Sequence, residues 1–187
     1  MRTIIVGCGR VGAELAGRLA GAGHDVTVLD LLTEAFSRLP ESFSGQAVRG
    51  DGTDEDVLRR AGAEGADNFI ALTEGDNRNV LAAQLAAESL GIPNVVAKIN
   101  DPVRAQAYSS LGIGTICRTT MMVDAMAGFL GQPTGRPLPG VIPPTGHHPG
   151  DHGPTSSAGS AASATGTAAN GEGATATVAG AGARGEG

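Results

Sequence analysis

Near its start the chain has an apolar run that ends in a glycine-rich turn. A turn with G-x-G-x-x-G spacing joins a strand to a helix in nucleotide-binding folds, where the first glycine permits the tight bend and the second lets the backbone approach a pyrophosphate. The third lets the helix pack close to the strand, and the helix N-terminus offers unpaired N–H groups and about half a positive charge. The pattern therefore predicts a phosphate-binding loop formed by Gly7, Cys8, Gly9, Arg10, Val11 and Gly12.

An acidic residue follows this loop at the distance that a nucleotide site requires. Residues 25–30 predict a second strand that ends at Asp30, about 20 residues after the glycines. A carboxylate there accepts hydrogen bonds from ribose hydroxyls, and it repels a ribose 2′-phosphate because both groups are negative. We therefore expect NAD to bind better than NADP.

Strand-like and helix-like segments alternate along residues 1–130. Several of the strand-like segments are nearly continuous apolar runs, which is typical of strands in a parallel sheet covered on both faces. We therefore predict an α/β fold with a Rossmann-like, doubly wound, parallel six-stranded sheet. Its strands are the run before the glycine turn and residues 25–30, 46–49, 67–72, 94–99 and 113–117.

Two helical patterns support more local predictions. In the first helix Val11, Leu15 and Leu19 fall on one face, because they recur at the helical spacing. Later in the chain, Thr53 followed by Asp56 is close to a capping box, which predicts a helix N-terminus at this point.

Composition changes sharply near Gly131. Beyond it glycine, proline, alanine, serine and threonine dominate, and such a segment buries too little apolar area to offset its ordering entropy. We predict one folded domain over residues 1–130 and a disordered tail over 131–187. The tail contains a cluster of possible metal ligands, but a flexible proline-rich setting lacks the surrounding support that metal sites have, so we predict no metal site. The cluster consists of His147, His148, Asp151 and His152.

Charge and cysteine content exclude several classes of function. The net charge is −6 and the basic residues are scattered, which argues against nucleic acid as a partner. The sequence has neither a membrane-spanning apolar stretch nor the apolar core of a secretory signal, so we expect a soluble cytoplasmic protein. Cys8 and Cys117 lie far apart and outside any C-x-x-C spacing, which predicts neither a disulfide framework nor a zinc site.

Several further motifs follow the glycine turn and Asp30 in a characteristic order. They are GDGT at 50–53, VLRRAG at 57–62, ADNFIALT at 66–73, DNRN at 76–79, VAKINDP at 96–102 and LGI at 111–113. In order and spacing, residues 1–130 resemble the TrkA/KtrA-type RCK domain, also called KTN, of potassium uptake regulators. The resemblance is far more specific than the glycine spacing alone.

The resemblance implies a sensor rather than an enzyme. Such domains bind NAD(H) or ATP/ADP and assemble as dimers or rings, in some cases completed by a second RCK protein. They lie at the inner face of the membrane beneath a potassium channel or transporter subunit, and the last helix, residues 119–130, would be the docking element. Many members continue into a second regulatory lobe, whose place is taken here by residues 131–187, so we expect no ion site of that lobe.

The resemblance also implies roles for individual residues. The glycine loop would hold phosphates, and the planar charged fork of Arg10 would reach their outer oxygens. We expect NAD(H) first and ATP/ADP as the alternative, since this fork suits a pyrophosphate or a triphosphate end. Asp30 would bind the adenosine ribose. The remaining contacts would be Asp51, Gly52 and Thr53 at the adenine, Thr73 beside the ribose and phosphates, and Lys98 near the phosphates.

Two other functions stay open at this point. The first is an NAD-dependent oxidoreductase, because many such enzymes begin with the same fold element. Short-chain dehydrogenases need a Tyr-x-x-x-Lys pair, yet the only tyrosine, Tyr108, is followed four residues later by Gly112, and the only lysine is Lys98. His24 is the only histidine in the predicted domain, so we expect no enzyme. The second alternative is an adaptor whose nucleotide site is vestigial.

Overall fold

Strands and helices alternate along the part of the chain that the computed structural model describes, which is residues 1–132 and 141–142. The strands are β1 (Arg2–Val6), β2 (Asp25–Asp30), β3 (Gln46–Arg49), β4 (Asn68–Ala71), β5 (Asn94–Ile99), β6 (Gly114–Cys117) and β7 (Val141–Ile142). The helices are α1 (Arg10–Gly21), α2 (Glu55–Arg60), α3 (Asp76–Gln84), α4 (Pro102–Ser109) and α5 (Arg118–Phe129). A 3₁₀ helix covers Thr33–Arg38, and α3 continues into a π-helical turn at Leu85–Ser89.

The strands form one sheet in the order β3-β2-β1-β4-β5-β6-β7. The first six strands are parallel, with Ile5 of β1 opposite Val28 of β2 on one side and Ile70 of β4 on the other. The strand order reverses direction between β1 and β4, which is the topological switch point of a doubly wound fold. The predicted Rossmann-like parallel sheet is confirmed. Because ligands bind at the carboxyl ends of the strands beside such a point, the fold itself indicates where to look for a site.

One strand was not predicted. β7 pairs antiparallel with β6, so that Thr115 lies opposite Ile142 and Ile116 opposite Val141. It lies within the segment that composition assigns to the tail. Two apolar residues between Gly140 and Pro143 are too few to produce a periodic signal, because alternation is recognisable only over about four residues or more. Beyond Gln132, the other tail positions, including the histidine cluster, lie outside the described residues.

Small side chains bring α1 close to the sheet. Ala13, Ala16 and Ala20 are buried against a layer that includes Ile5 of β1. The predicted apolar face of α1 is only partly confirmed, because Leu15 and Leu19 pack at the edge of this layer while Val11 is 65% exposed. The helix turns its alanine stripe toward the strands, since larger side chains there would hold it away.

The opposite face of the sheet carries the larger core cluster. Phe69 of β4 and Leu58 of α2 are fully buried in it, together with Ile4 of β1. Alanines of α3 and its π-helical turn complete the layer. Burial on both faces explains why the strands read as nearly continuous apolar runs.

The predicted capping box at the start of α2 is wrong. Asp54 is the N-cap, and its Oδ1 accepts a 3.1 Å hydrogen bond from the backbone N–H of Val57. Thr53 instead donates from its N–H and its hydroxyl to Asp51. An aspartate caps a helix as well as a threonine does, so the nearby carboxylate of Asp51 decides which of the two residues takes the role.

α5 exposes a largely apolar surface. None of its residues is buried, and Phe129 is 92% exposed. We call the exposed apolar side chains of this segment the α5 surface; they are Met121, Met122, Val123, Met126, Phe129 and Leu130. Contiguous apolar patches of this kind mark interaction sites more often than they remain in water. Among the helices within the described ranges, none has the length and apolar composition needed to cross a membrane.

Candidate functional site

A cavity of about 550 Å³ opens at the switch point of the sheet. Loops that follow β1, β2, β3 and β4 contribute its walls. The residues predicted from the sequence that line it are Gly7, Cys8, Gly9, Arg10, Asp30, Asp51, Gly52 and Thr73. Side chains far apart in the sequence are therefore brought together at one edge of the sheet.

Two glycines of the loop are required by the fold itself. Gly7 has φ +106°, a conformation that other residues rarely adopt, and a side chain there would also approach the carbonyl carbon of Leu72 to 2.9 Å. A Cβ at Gly12 would lie 2.0 Å from the carbonyl oxygen of Gly7. Gly9 differs, because no atom lies within 4 Å of its missing Cβ. The space beside Gly9 is open to a ligand, whereas Gly12 lets α1 pack on the loop and does not line the cavity.

The start of α1 supplies unsatisfied donors at this open space. Gly9 is the N-cap, no side chain caps the helix, and its first turn contains no acidic residue. The N-terminal N–H groups and the positive end of the helix dipole are therefore free to meet an anion. Arg10 lines the cavity beside them. Val11, also predicted as a site residue, belongs to the same turn but does not line the cavity.

Asp30 connects the glycine loop to the end of β2. Its Oδ2 accepts a 2.7 Å hydrogen bond from the N–H of Cys8, and its Oδ1 accepts a 2.9 Å bond from the N–H of Leu32. Each carboxylate oxygen has two lone pairs, so both keep capacity for a further donor. The Cys8 N–H, in contrast, is already used and is not available to a phosphate.

The Cys8 side chain is a buried part of the loop. It is fully inaccessible, and burial raises the pKa of its thiol, an effect that the negative charge of Asp30 increases and the positive charge of Arg38 opposes. The thiol is therefore neutral at neutral pH and acts as a small packing group.

Asp51 is held in place by Thr53. Its Oδ1 accepts from the Thr53 N–H at 3.0 Å and from the Thr53 hydroxyl at 2.8 Å. The backbone hydrogen bond and then the hydroxyl bond lower the pKa of Asp51, and the positive charge of Arg78 adds to the effect. Asp51 is thus a fixed negative charge at the cavity wall next to Gly52. Thr53 does not line the cavity, and its role in the structure is to orient Asp51.

Thr73 is fixed by a residue that sequence reasoning missed. Asn79, in α3, is completely buried, and its Oδ1 accepts from the Thr73 N–H at 2.8 Å and from the Thr73 hydroxyl at 2.7 Å. Its Nδ2 donates to the carbonyl oxygens of Thr73 at 3.0 Å and Lys98 at 2.8 Å. Asn79 belongs to the DNRN motif, but only the tertiary structure shows that its amide joins the ends of β4 and β5.

Lys98 is not brought to the cavity. Its side chain is half-buried on β5, and burial lowers its pKa, as does the neighbouring charge of Arg118. Glu74 and Asp76 act in the opposite direction. The predicted contact between Lys98 and phosphates therefore has no support in the lining of the cavity.

The cavity also contains charged residues that were not predicted. Arg38 comes from the 3₁₀ helix and Arg78 from the first turn of α3, while Glu74 follows β4. Arg78 lies in the DNRN motif, whereas no local pattern pointed to Arg38. With Arg10, the wall carries three guanidinium groups, a composition suited to a ligand with phosphate groups. In the part of the chain that the structure describes, no group of three or more metal-binding side chains is positioned to hold a metal ion.

A family model and a curated relative match more than half of the chain. The model described as the TrkA-N domain matches residues 3–119. The Trk system potassium uptake protein TrkA of Streptomyces coelicolor is 47% identical over 126 residues, which are 67% of this chain and 56% of that protein. The chain therefore spans little more than half the length of this relative.

Solved structures share the fold at low sequence identity. The Kef C-terminal domain of Shewanella denitrificans in its AMP-bound form has a TM-score of 0.58 and 22% identity, covering 71% of this chain and 83% of that one. The GsuK channel bound to NAD has a TM-score of 0.57 and 20% identity, covering 68% of this chain and 23% of that one. At these identities the likeness concerns the fold alone.

Proposed function

The chain belongs to the TrkA-N domain family, and on that premise we propose that it is a nucleotide-binding regulatory subunit of a potassium uptake system. The proposed ligand is NAD(H), with ATP/ADP as the alternative. The proposed partner is a membrane potassium channel or transporter subunit, beneath which the chain works at the inner face of the membrane. The name of the Streptomyces relative, a Trk system potassium uptake protein, supports this assignment.

One observation carries the proposal, namely the distribution of donors and acceptors around the cavity. Free N–H groups of α1 and the guanidinium of Arg10 lie together on the β1 side, as a phosphate ligand requires. The carboxylate of Asp30 lies at the end of β2 and can accept from ribose hydroxyls. A nucleotide carries both kinds of group in one molecule.

The lining of the cavity favours binding over catalysis. Of the residues that the structure describes, those that line it include no tyrosine, histidine or lysine. Tyr108 lies on α4, where its hydroxyl accepts a 3.3 Å hydrogen bond from Arg104. The tyrosine and lysine pair that a short-chain dehydrogenase uses for proton transfer is thus not among the residues that line this site.

Regulation requires that the ligand distinguish two states of an assembly. A nucleotide shifts an equilibrium only by the difference between its affinities for the two arrangements. The α5 surface is the proposed site of assembly into a homo-oligomer, or into a ring with a second RCK protein, because it is apolar and uncovered within the described residues. Movement of such an assembly would pull on the membrane subunit.

Potassium uptake in the host organism tests the proposal. Deletion of the gene is expected to lower uptake from medium with little potassium, and the wild-type chain is expected to restore it. Asp30→Ala is expected to restore it poorly, because the variant loses the carboxylate at the cavity. Unchanged uptake after deletion would contradict the proposal. Full restoration by Asp30→Ala would favour an adaptor with a vestigial site.

A further inference from the structure

The amide of Asn79 has only one possible orientation. Its Nδ2 lies 3.0 Å from the carbonyl oxygen of Thr73 and 2.8 Å from that of Lys98, and carbonyl oxygens only accept. Its Oδ1 lies 2.8 Å from the Thr73 N–H, which only donates. Three independent partners therefore agree on which atom of the amide is nitrogen and which is oxygen.

This orientation determines the role of the Thr73 hydroxyl. The hydroxyl oxygen lies 2.7 Å from Oδ1 of Asn79, which carries no hydrogen. Thr73 must therefore donate its only hydroxyl proton to Asn79. Toward the cavity, which Thr73 lines, the hydroxyl can only accept. Asn79 is completely buried and all its hydrogen-bonding positions are filled, so the arrangement is costly to change.

The cavity wall thus has three zones along the sheet. Asp30 at β2 accepts, the α1 N-terminus after β1 donates, and the Thr73 hydroxyl after β4 accepts. The β4 side also carries the opposite charges of Glu74 and Arg78, and Thr73 is the group there whose role is fixed by a buried partner. β2 and β4 are separated by two strand spacings, or about 10 Å. The adjacent hydroxyls of one ribose are too close together to reach both Asp30 and Thr73.

We propose that Asn79 makes Thr73 an obligate acceptor and thereby selects a dinucleotide, whose second ribose presents hydroxyl donors, over a nucleoside polyphosphate, whose terminal phosphate presents acceptors. This inference rests on the proposed nucleotide-binding function and adds the selection between its two ligand classes. A dinucleotide carries a ribose, a pyrophosphate and a second ribose in this order, which matches the order of the zones at β2, β1 and β4. A terminal phosphate placed at Thr73 would set two acceptors against each other. Thr73 contacts the ligand in this account, and Asn79 is a positioning residue.

Calorimetric titration with ADP, ADP-ribose and ATP, without divalent cations, tests the proposal. ADP-ribose extends ADP by a ribose, whereas ATP extends it by a phosphate, so the two ligands compare the two groups at the same end. The wild-type chain is expected to bind ADP-ribose more tightly than ATP. Thr73→Val is expected to weaken ADP-ribose about 3- to 10-fold more than it weakens ADP, which is the effect of one neutral hydrogen bond. Thr73→Ser keeps the hydroxyl and is expected to keep the preference.

Variants of Asn79 separate positioning from general stability. Asn79→Asp retains an acceptor for the Thr73 hydroxyl, so it is expected to keep the preference for ADP-ribose even though it loses two donated bonds. Its negative charge acts in the same direction, because ATP is more anionic than ADP-ribose. Asn79→Leu frees the hydroxyl to donate, and the ratio of ATP to ADP-ribose affinity is expected to move toward equality. General destabilisation would lower all affinities together and leave the ratio unchanged. Should Asn79→Leu not fold, the comparison of Thr73→Val with Thr73→Ser still decides.

The possible failures are distinguishable. Nucleotides that bind to the wild-type chain with no preference for ADP-ribose, or a Thr73→Val variant that weakens ADP-ribose and ATP equally, would overturn the selection by Asn79 and leave the proposed function standing. Absence of binding by all three ligands would overturn the proposed function, and this inference with it.

Discussion

The backbone N–H of Cys8 donates a 2.7 Å hydrogen bond to the carboxylate of Asp30. This bond ties the glycine loop after β1 to the end of β2, and the second oxygen of Asp30 holds the N–H of Leu32. The same carboxylate therefore organises the loop and faces the cavity. Its replacement should change stability and ligand binding together.

Asp30→Asn is the first test of this relationship. Asparagine replaces one accepting oxygen by an NH₂ group, which cannot accept from the N–H of Cys8 or Leu32. We expect the free energy of unfolding to fall by about 1–3 kcal/mol, because a partly buried N–H loses its partner, and nucleotide affinity to fall as well. Urea denaturation and calorimetry measure the two effects.

Asp25→Asn is the matched control for Asp30→Asn. Asp25 forms an exposed ion pair with Arg2, and such pairs contribute about 0–1 kcal/mol. The control is expected to leave both stability and nucleotide affinity nearly unchanged. Equal effects of the two variants would contradict a specific role for Asp30.

The second and third glycines of the loop, Gly9 and Gly12, should respond differently to substitution by alanine. Gly12→Ala places a Cβ 2.0 Å from the Gly7 oxygen, so the backbone must shift, and we expect a loss of about 2 kcal/mol or more. Gly9→Ala meets no protein atom within 4 Å and should alter stability by less than about 1 kcal/mol. Its added methyl group occupies the space proposed for phosphates, so nucleotide affinity should fall. Thermal unfolding with and without nucleotide separates the two cases.

Asp51 predicts a specific pH dependence of stability. The two hydrogen bonds from Thr53 hold its pKa below the usual value near 4. A lowered pKa in the folded state stabilises the fold above the unfolded value, and this contribution is lost as the pH falls below about 4 toward the folded pKa. The difference in unfolding free energy between wild type and Asp51→Asn should be constant near neutral pH and shrink on acidification. A difference that grows on acidification would contradict this assignment.

The α5 surface predicts assembly. Phe129→Glu places a charge at its most exposed member and is expected to shift the oligomer toward smaller species in sedimentation experiments, because a buried unpaired charge is costly. Leu81→Glu, on the exposed side of α3, is the control and should leave assembly unchanged. An unchanged oligomer in Phe129→Glu would exclude this surface as the main contact.

The elements of the fold could be predicted because their signals are local. The glycine turn, the apolar strands and the acid at Asp30 identify a doubly wound sheet, and β5 has the predicted bounds of 94–99. β7 could not be predicted because two residues are too few to show the alternation of apolar and polar side chains that marks a strand. The predicted cap of α2 was wrong because the Thr53 hydroxyl donates its hydrogen bond to Asp51. A pattern based on Thr53 and Asp56 takes no account of Asp51.

The site could be predicted only in part, since some of its relationships exist only in three dimensions. The glycine loop and Asp30 were accessible because their spacing reflects one continuous strand, turn and helix. Asn79 resembles any polar residue at the start of a helix until β4 and β5 are placed side by side. Arg38 reaches the cavity because a 3₁₀ helix follows β2. The periodicity of the sequence does not predict that this helix directs Arg38 toward the cavity.

Nucleotide sensing by this chain can be measured by titrating nucleotide-free protein with NAD, NADH, ATP, ADP and NADP while heat and assembly size are recorded together. We expect tight binding of NAD and NADH, or of ATP and ADP, together with a change of assembly on binding. NADP should bind more weakly than NAD because Asp30 repels its 2′-phosphate. Asp30→Ala should reduce the heat and the change of assembly together. Absence of heat and of any change in assembly size with all five nucleotides would contradict a nucleotide-sensing role.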